Sequence, residues 1–167
     1  MMNRLTQSAR RYSLNELDEF EARMGVRLPI EYKNYLINVG AGEYTGSHVS
    51  LLEEWCQPRS EEEMPAGFLA QPFPHRERWI DLSLADKGKG WESDYYGELL
   101  YRGSMRIVNV GCESYYLLVV CGDEYGTVWA DKRASEGAGI FPLWSRSGKH
   151  LSIGEYLQRP QTAMFMP

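Results

Sequence analysis

Residues 107–131, IVNVGCESYYLLVVCGDEYGTVWAD, constrain the fold of this chain more than any other stretch. Within them Tyr115-Tyr116-Leu117-Leu118-Val119-Val120-Cys121 is the longest apolar run, well short of the ~18 residues of a membrane helix and bounded by turn residues at both ends. A strand that is apolar on both faces must be covered on both. Gly122-Asp123-Glu124-Tyr125-Gly126 then supplies glycine and an acidic pair where the chain has to reverse, and Thr127-Val128-Trp129-Ala130 resumes with β-branched and aromatic side chains. The pattern predicts a β-hairpin with a loop longer than two residues, at the centre of a sheet onto which the rest packs.

Helices are predicted on either side of that sheet. Ser13 and Glu16 form a capping box that starts a first helix near Leu14. Leu14, Leu17, Phe20 and Met24 give its apolar stripe, Glu16, Asp18, Glu19 and Glu21 stay in water, and Gly25 suits the left-handed C′ position. After the link Val26-Arg27-Leu28, Pro29 is placed at the first position of a second helix, where its missing N–H costs nothing. That helix buries Tyr32, Tyr35, Leu36 and Val39 and ends at Gly40.

Further on, Val49, Leu51 and Leu52 suggest a short strand. Residues 53–78, with prolines at 58, 65, 72 and 74 and several glutamates, read as a surface excursion anchored by Trp55, Phe68 and Phe73. Strands are expected at 79–82, at 105–110 and at 140–144, the last an edge strand because it contains Pro142, and a final helix at 152–159. At 167 residues, 1–167 is expected to be a single domain of α+β class.

Composition narrows function by exclusion. The 23 acidic against 18 basic side chains leave a net charge of −5, which argues against binding nucleic acid directly and suits a basic protein partner. The N-terminus, MMNRLTQSARR, is not followed by an apolar segment, so neither a signal peptide nor a membrane association is expected. Cys56, Cys112 and Cys121 show no CxxC or zinc-ligand spacing, consistent with reduced thiols in the cytoplasm.

Catalytic chemistry finds little support in the residues. Cys112 could act as a nucleophile with one of His48, His75 or His150, but a cysteine beside a strand is more simply a small core hydrophobe. No HExxH or HxH spacing occurs, and Lys87-Gly88-Lys89-Gly90 lacks the spacing of a phosphate-binding loop. No catalytic residue, metal site or cofactor is expected. Binding is better supported: Glu61, Glu62, Glu92 and Asp94 would present negative potential to a cationic partner, and Tyr95 and Tyr96 would anchor the contact.

Two stretches together resemble the SUKH superfamily. The first is Glu21-Ala22-Arg23-Met24-Gly25-Val26-Arg27-Leu28-Pro29-Ile30-Glu31-Tyr32-Lys33-Asn34-Tyr35-Leu36, which is similar to the family's helix, Leu-Pro step and acidic-Tyr-Lys helix. The second, Gly111-Cys112-Glu113 through Gly122, Gly126-Thr127-Val128-Trp129-Ala130-Asp131 and Gly139-Ile140-Phe141-Pro142-Leu143, resembles its core hairpin with a Gly-x-Val-Trp strand. The chain departs from the pattern at Glu113, where relatives carry a small residue, often glycine. The resemblance implies an N-terminal helix pair and a C-terminal helix packed on a curved, mostly antiparallel sheet, with no cofactor and no catalysis.

Bacterial relatives are commonly immunity proteins of polymorphic or contact-dependent toxin systems, which bind and neutralise a toxin domain, often a nuclease, in the cytosol. Others regulate cell-wall synthesis or act as signalling scaffolds. The expectation is therefore an immunity protein for a cognate toxin, with a regulatory adaptor as the alternative and a small hydrolase using Cys112 as a third reading.

Overall fold

A computed structural model describes residues 9–42, 49–53, 67–80, 97–134 and 138–159. Among them lie three helices, α1 (Leu14–Met24), α2 (Ile30–Asn38) and α3 (Ile153–Leu157), and four strands, β1 (Ser104–Gly111), β2 (Ser114–Val119), β3 (Val128–Asp131) and β4 (Ile140–Pro142). The sheet is antiparallel in the order β1-β2-β3-β4 and open, which makes the fold α+β.

The expected hairpin is at its centre. β2 pairs with β3 from Tyr115 opposite Asp131 to Leu118 opposite Val128, and the chain reverses over the intervening residues, closed by Gly126 N–H on Val119 O (2.9 Å). Leu117, Leu118, Val119, Val128 and Trp129 are fully enclosed, as a strand apolar on both faces requires. β1 joins β2 through a tight turn at Cys112-Glu113, whose φ values of 49° and 54° are both left-handed. Two-residue turns of this kind need positive φ at both central positions, a conformation that costs non-glycine residues about 1–2 kcal/mol each. Glu113 therefore occupies a place that glycine would fill with less strain. The turn also leaves Cys112 exposed, so it is not the core hydrophobe expected.

Both helix ends at the N-terminal side follow their local signals. Ser13 and Glu16 make the reciprocal capping box, and Gly25 ends α1 in the left-handed conformation at φ 68°. Pro29 is the N-cap of α2 instead of its first helical residue, a shift of one position. Leu17, Phe20, Tyr32 and Leu36 enter one core with Met105, Ile107, Leu117 and Ile153.

Four expectations fail here, each for a packing reason. Leu14 and Val39, at the outer ends of their helices, are exposed at 57% and 46%. Glu21 is buried instead of wet, because the α1–α2 link has a backbone donor to satisfy: one carboxylate oxygen accepts Leu28 N–H (2.7 Å) and the other the Lys33 ammonium (3.1 Å). Residues 49–53 form no strand. Ser50 N–H bonds Ile107 O (2.7 Å) on the free edge of β1, and the chain then turns helically at Leu52 and Glu53.

Residues 67–80 line the other end of the sheet. Phe68 and Phe73 are buried as expected, while Trp55 lies outside the described residues. Trp79 makes a two-way bridge with Ile140 (2.7 and 2.9 Å), so the strand expected at 79–82 is a single bridge as far as it is described. Gly139 permits that approach: a Cβ there would lie 2.1 Å from Trp79 O, at a φ of +81°. β4 is the edge strand expected from its proline, although it ends at Pro142.

Candidate functional site

The buried Trp129 begins a relay that reaches the surface. Its indole N–H donates to Thr127 Oγ1 (3.0 Å), and the Thr127 hydroxyl donates to Glu124 O (2.6 Å). The Glu124 carboxylate accepts the Nδ1–H of His150 (2.6 Å). The His150 ring stands edge-on to Trp129 at 5.5 Å and to Trp144 at 4.8 Å. A core side chain and a loop carboxylate thus fix an imidazole, and the imidazole supports an indole that is 57% exposed.

Backbone contacts hold Trp144 as well. It bridges His150 across a short hairpin closed by Ser145 N–H on Lys149 O (2.9 Å), and its carbonyl accepts from the Arg159 guanidinium (2.8 Å). Beside it runs an open groove of about 580 Å³, lined on its apolar side by Phe141, Pro142 and Trp144. Arg78, Lys132 and Glu77 also line it. The Arg78 guanidinium lies 5.5 Å from the Phe141 ring and donates to Ala138 O (2.8 Å). A fixed aromatic plane next to a positioned guanidinium can take up an apolar side chain and a hydrogen-bond acceptor together.

Comparison with known proteins adds the family. The model of the SMI1 / KNR4 family (SUKH-1) matches residues 12–150, most of the chain and nearly all of the described structure. The chain belongs to that family. No curated protein and no solved structure matches it.

Within this SUKH-1 domain, the contact residues expected from sequence, Glu61, Glu62, Glu92, Asp94, Tyr95 and Tyr96, all lie outside the described residues. The groove at Trp144 was not anticipated. Its parts come from residues 77–78, 132 and 138–150, and the visible hint was an aromatic residue two positions past an edge-strand proline.

Several other titratable groups have structural partners, whereas His48 lies outside the described residues. His75 is 8% exposed and donates Nε2–H to Leu100 O (2.6 Å), with Phe73 edge-on at 5.3 Å. Burial is the main reason its imidazole is held below the ordinary value. Nearby, Arg133 donates Nε–H and Nη2–H to the two oxygens of Asp131, each at 2.8 Å, and Nη1–H to Gly97 O (3.0 Å). His75 and Arg133 together tie residues 97–101 to the sheet. On the opposite side Tyr12 donates to Glu53 (2.6 Å) and accepts Leu52 N–H (3.1 Å), while Arg10 pairs with Glu16 and Glu53. Burial and the Glu53 bond raise the Tyr12 phenol well above its ordinary value, which fits a structural donor. No group of three or more His, Cys, Asp or Glu that could hold a metal ion occurs among the described residues. Likewise no described helix is long and apolar enough to cross a membrane.

Proposed function

We propose that this protein is an immunity protein, which binds a cognate bacterial toxin stoichiometrically in the cytoplasm and neutralises it without chemistry of its own. Its membership of the SUKH-1 family over residues 12–150 carries this reading, because relatives of this kind commonly serve that role. The exposed, braced Trp144 beside Arg78 supports it: tryptophan and arginine dominate the residues that hold protein interfaces together. A rigid anchor loses little side-chain entropy on binding, which favours affinity. Glu61, Glu62, Glu92, Asp94, Tyr95 and Tyr96 are proposed as additional contacts that steer a basic toxin surface.

The test is growth of cells expressing the C-terminal domain encoded by the neighbouring open reading frame, with and without this protein. Rescue by this protein and not by an unrelated SUKH-1 domain is the expected outcome. Toxicity that persists with both proteins soluble rejects immunity to that domain and moves weight to the adaptor reading.

A further inference from the structure

We infer that the groove at Trp144 receives an acidic segment of the protein partner, in which carboxylates alternate with an apolar side chain. The inference rests on reading the chain as a binding protein, and it names the chemistry bound at one face.

The charge around the groove runs against that of the chain. Overall, acidic side chains outnumber basic ones by 23 to 18. Among the described residues that line the groove, Arg78 and Lys132 stand with one carboxylate, Glu77, and the exposed turn of the adjoining hairpin carries Arg146 and Lys149. The Glu124 carboxylate is not part of the groove lining and bonds His150. Among the described residues the Lys132 ammonium meets no carboxylate, and the Arg78 guanidinium uses one bond on Ala138 O, leaving donors free. Cations held beside apolar side chains, with no ion pair among the described residues, fit carboxylates arriving from outside.

The mode of binding follows from the edge. β4 is outermost in the sheet, which normally invites a further strand. Here Ile140 already exchanges both backbone bonds with Trp79, and Pro142 has no N–H to give. A partner is therefore gripped by its side chains, an apolar one against Trp144 and Phe141 and acidic ones at Arg78 and Lys132. A nucleic acid could exploit the same aromatic and cationic groups, but its phosphates would also meet the repulsion of a chain at −5.

The full chain, labelled with ¹⁵N and titrated at low ionic strength, gives the test. The chain has five tryptophans, and loss of one indole resonance in Trp144→Phe identifies the one of interest. Three probes are compared: a peptide of alternating glutamate and leucine, the matching lysine and leucine peptide, and a uridine oligonucleotide. The expected result is a saturable shift of the Trp144 resonance with the glutamate peptide, weakened at least about tenfold in the Arg78→Glu/Lys132→Glu variant. The other indole resonances of that variant must stay in place, which checks its fold; Lys132→Gln alone serves if they do not. No shift, an equal shift with the lysine peptide, or a stronger response to the oligonucleotide overturns the assignment.

None of these probes involves a toxin, so the result is independent of immunity. Growth rescue by wild type and equally by the charge-reversed variant would leave immunity standing and remove the groove from it. Absence of rescue together with a retained peptide response would do the reverse.

Discussion

Lys132 and Arg133 are neighbours just past β3, and their surroundings differ in kind. The Arg133 side chain is 4% exposed and its guanidinium is matched on both oxygens of an equally buried Asp131, with a further bond to Gly97 O. Lys132 reaches the rim of the groove, where among the described residues it meets no carboxylate. The inner cation is a fixed part of the fold, since a buried charge must have its partner or leave the interior. The outer one has no such partner among the described residues and is placed to meet a charge brought by another molecule. One strand end thus separates the region where polar groups are closed off from the region where they remain open.

Breaking the inner pair should have the largest effect. Asp131→Ala leaves the Arg133 charge buried without its partner, a change that costs about 3–5 kcal/mol. Urea unfolding should show that loss, and Asp131→Ala/Arg133→Met should recover much of it by removing the stranded charge as well. A cost below about 1 kcal/mol for the single variant would mean that water or Gly97 replaces Asp131 easily, and the distinction between the two cations would weaken.

Next in size is the hinge between the two regions. Gly139→Ala would place a methyl group 2.1 Å from Trp79 O at a left-handed φ, so β4 and Trp79 must move apart. Overpacking of this type costs roughly 1–3 kcal/mol, with about 1 kcal/mol more for the backbone. Thermal unfolding measures the cost. The Trp144 indole resonance should also move, because the wall of the groove that carries Arg78 adjoins that bridge.

What sequence could reveal divides along the same line. Ser13 with Glu16, Gly25, the apolar run of β2 and the proline of β4 each act within a few residues, so the helix pair, the central hairpin and the edge strand were legible. A second capping box, Ser152 with Glu155, is equally local and starts α3. The burial of Glu21 is not legible, because helical spacing says where a side chain points and not that Leu28 N–H, seven residues on, will need an acceptor. The groove is harder still: His150 and Glu124 are 26 residues apart, and Arg78 reaches Ala138 across 60. No local pattern joins them, and the residue type that matters, one exposed tryptophan, is in sequence indistinguishable from a core residue. The contacts expected from charge and aromatic content, Glu61, Glu62, Glu92, Asp94, Tyr95 and Tyr96, lie outside the described residues.

A smaller effect, dependent on pH, should come from His75. Its buried imidazole is held below the ordinary value of about 6.5, so the unfolded chain takes up a proton more readily than the folded one as pH falls. The stability that His75 contributes is therefore complete above that value and is lost progressively as pH drops from it towards the lower folded value. His75→Gln, which keeps an N–H for Leu100 O, should flatten the decline of stability between neutral and mildly acidic pH. An identical pH profile in wild type and variant would show that His75 titrates alike in both states and that the inner region is more open than its burial implies.

The smallest expected change in stability is at the groove, and there the smallness is the informative part. Trp144→Ala and Lys132→Ala remove exposed or unpaired groups, so each should alter the free energy of unfolding by no more than about 0.5 kcal/mol. His150 loses one ring contact with Trp144 but keeps Glu124 and Trp129, so the relay behind it should survive. A loss of about 2 kcal/mol in Trp144→Ala would mean that the indole is a structural lid on His150 and not an anchor left open for a partner. Near-neutral stability combined with lost growth rescue would mean the opposite. It would locate the binding energy at a residue the fold can do without, which is how a site maintained for an external partner differs from one that packing alone explains.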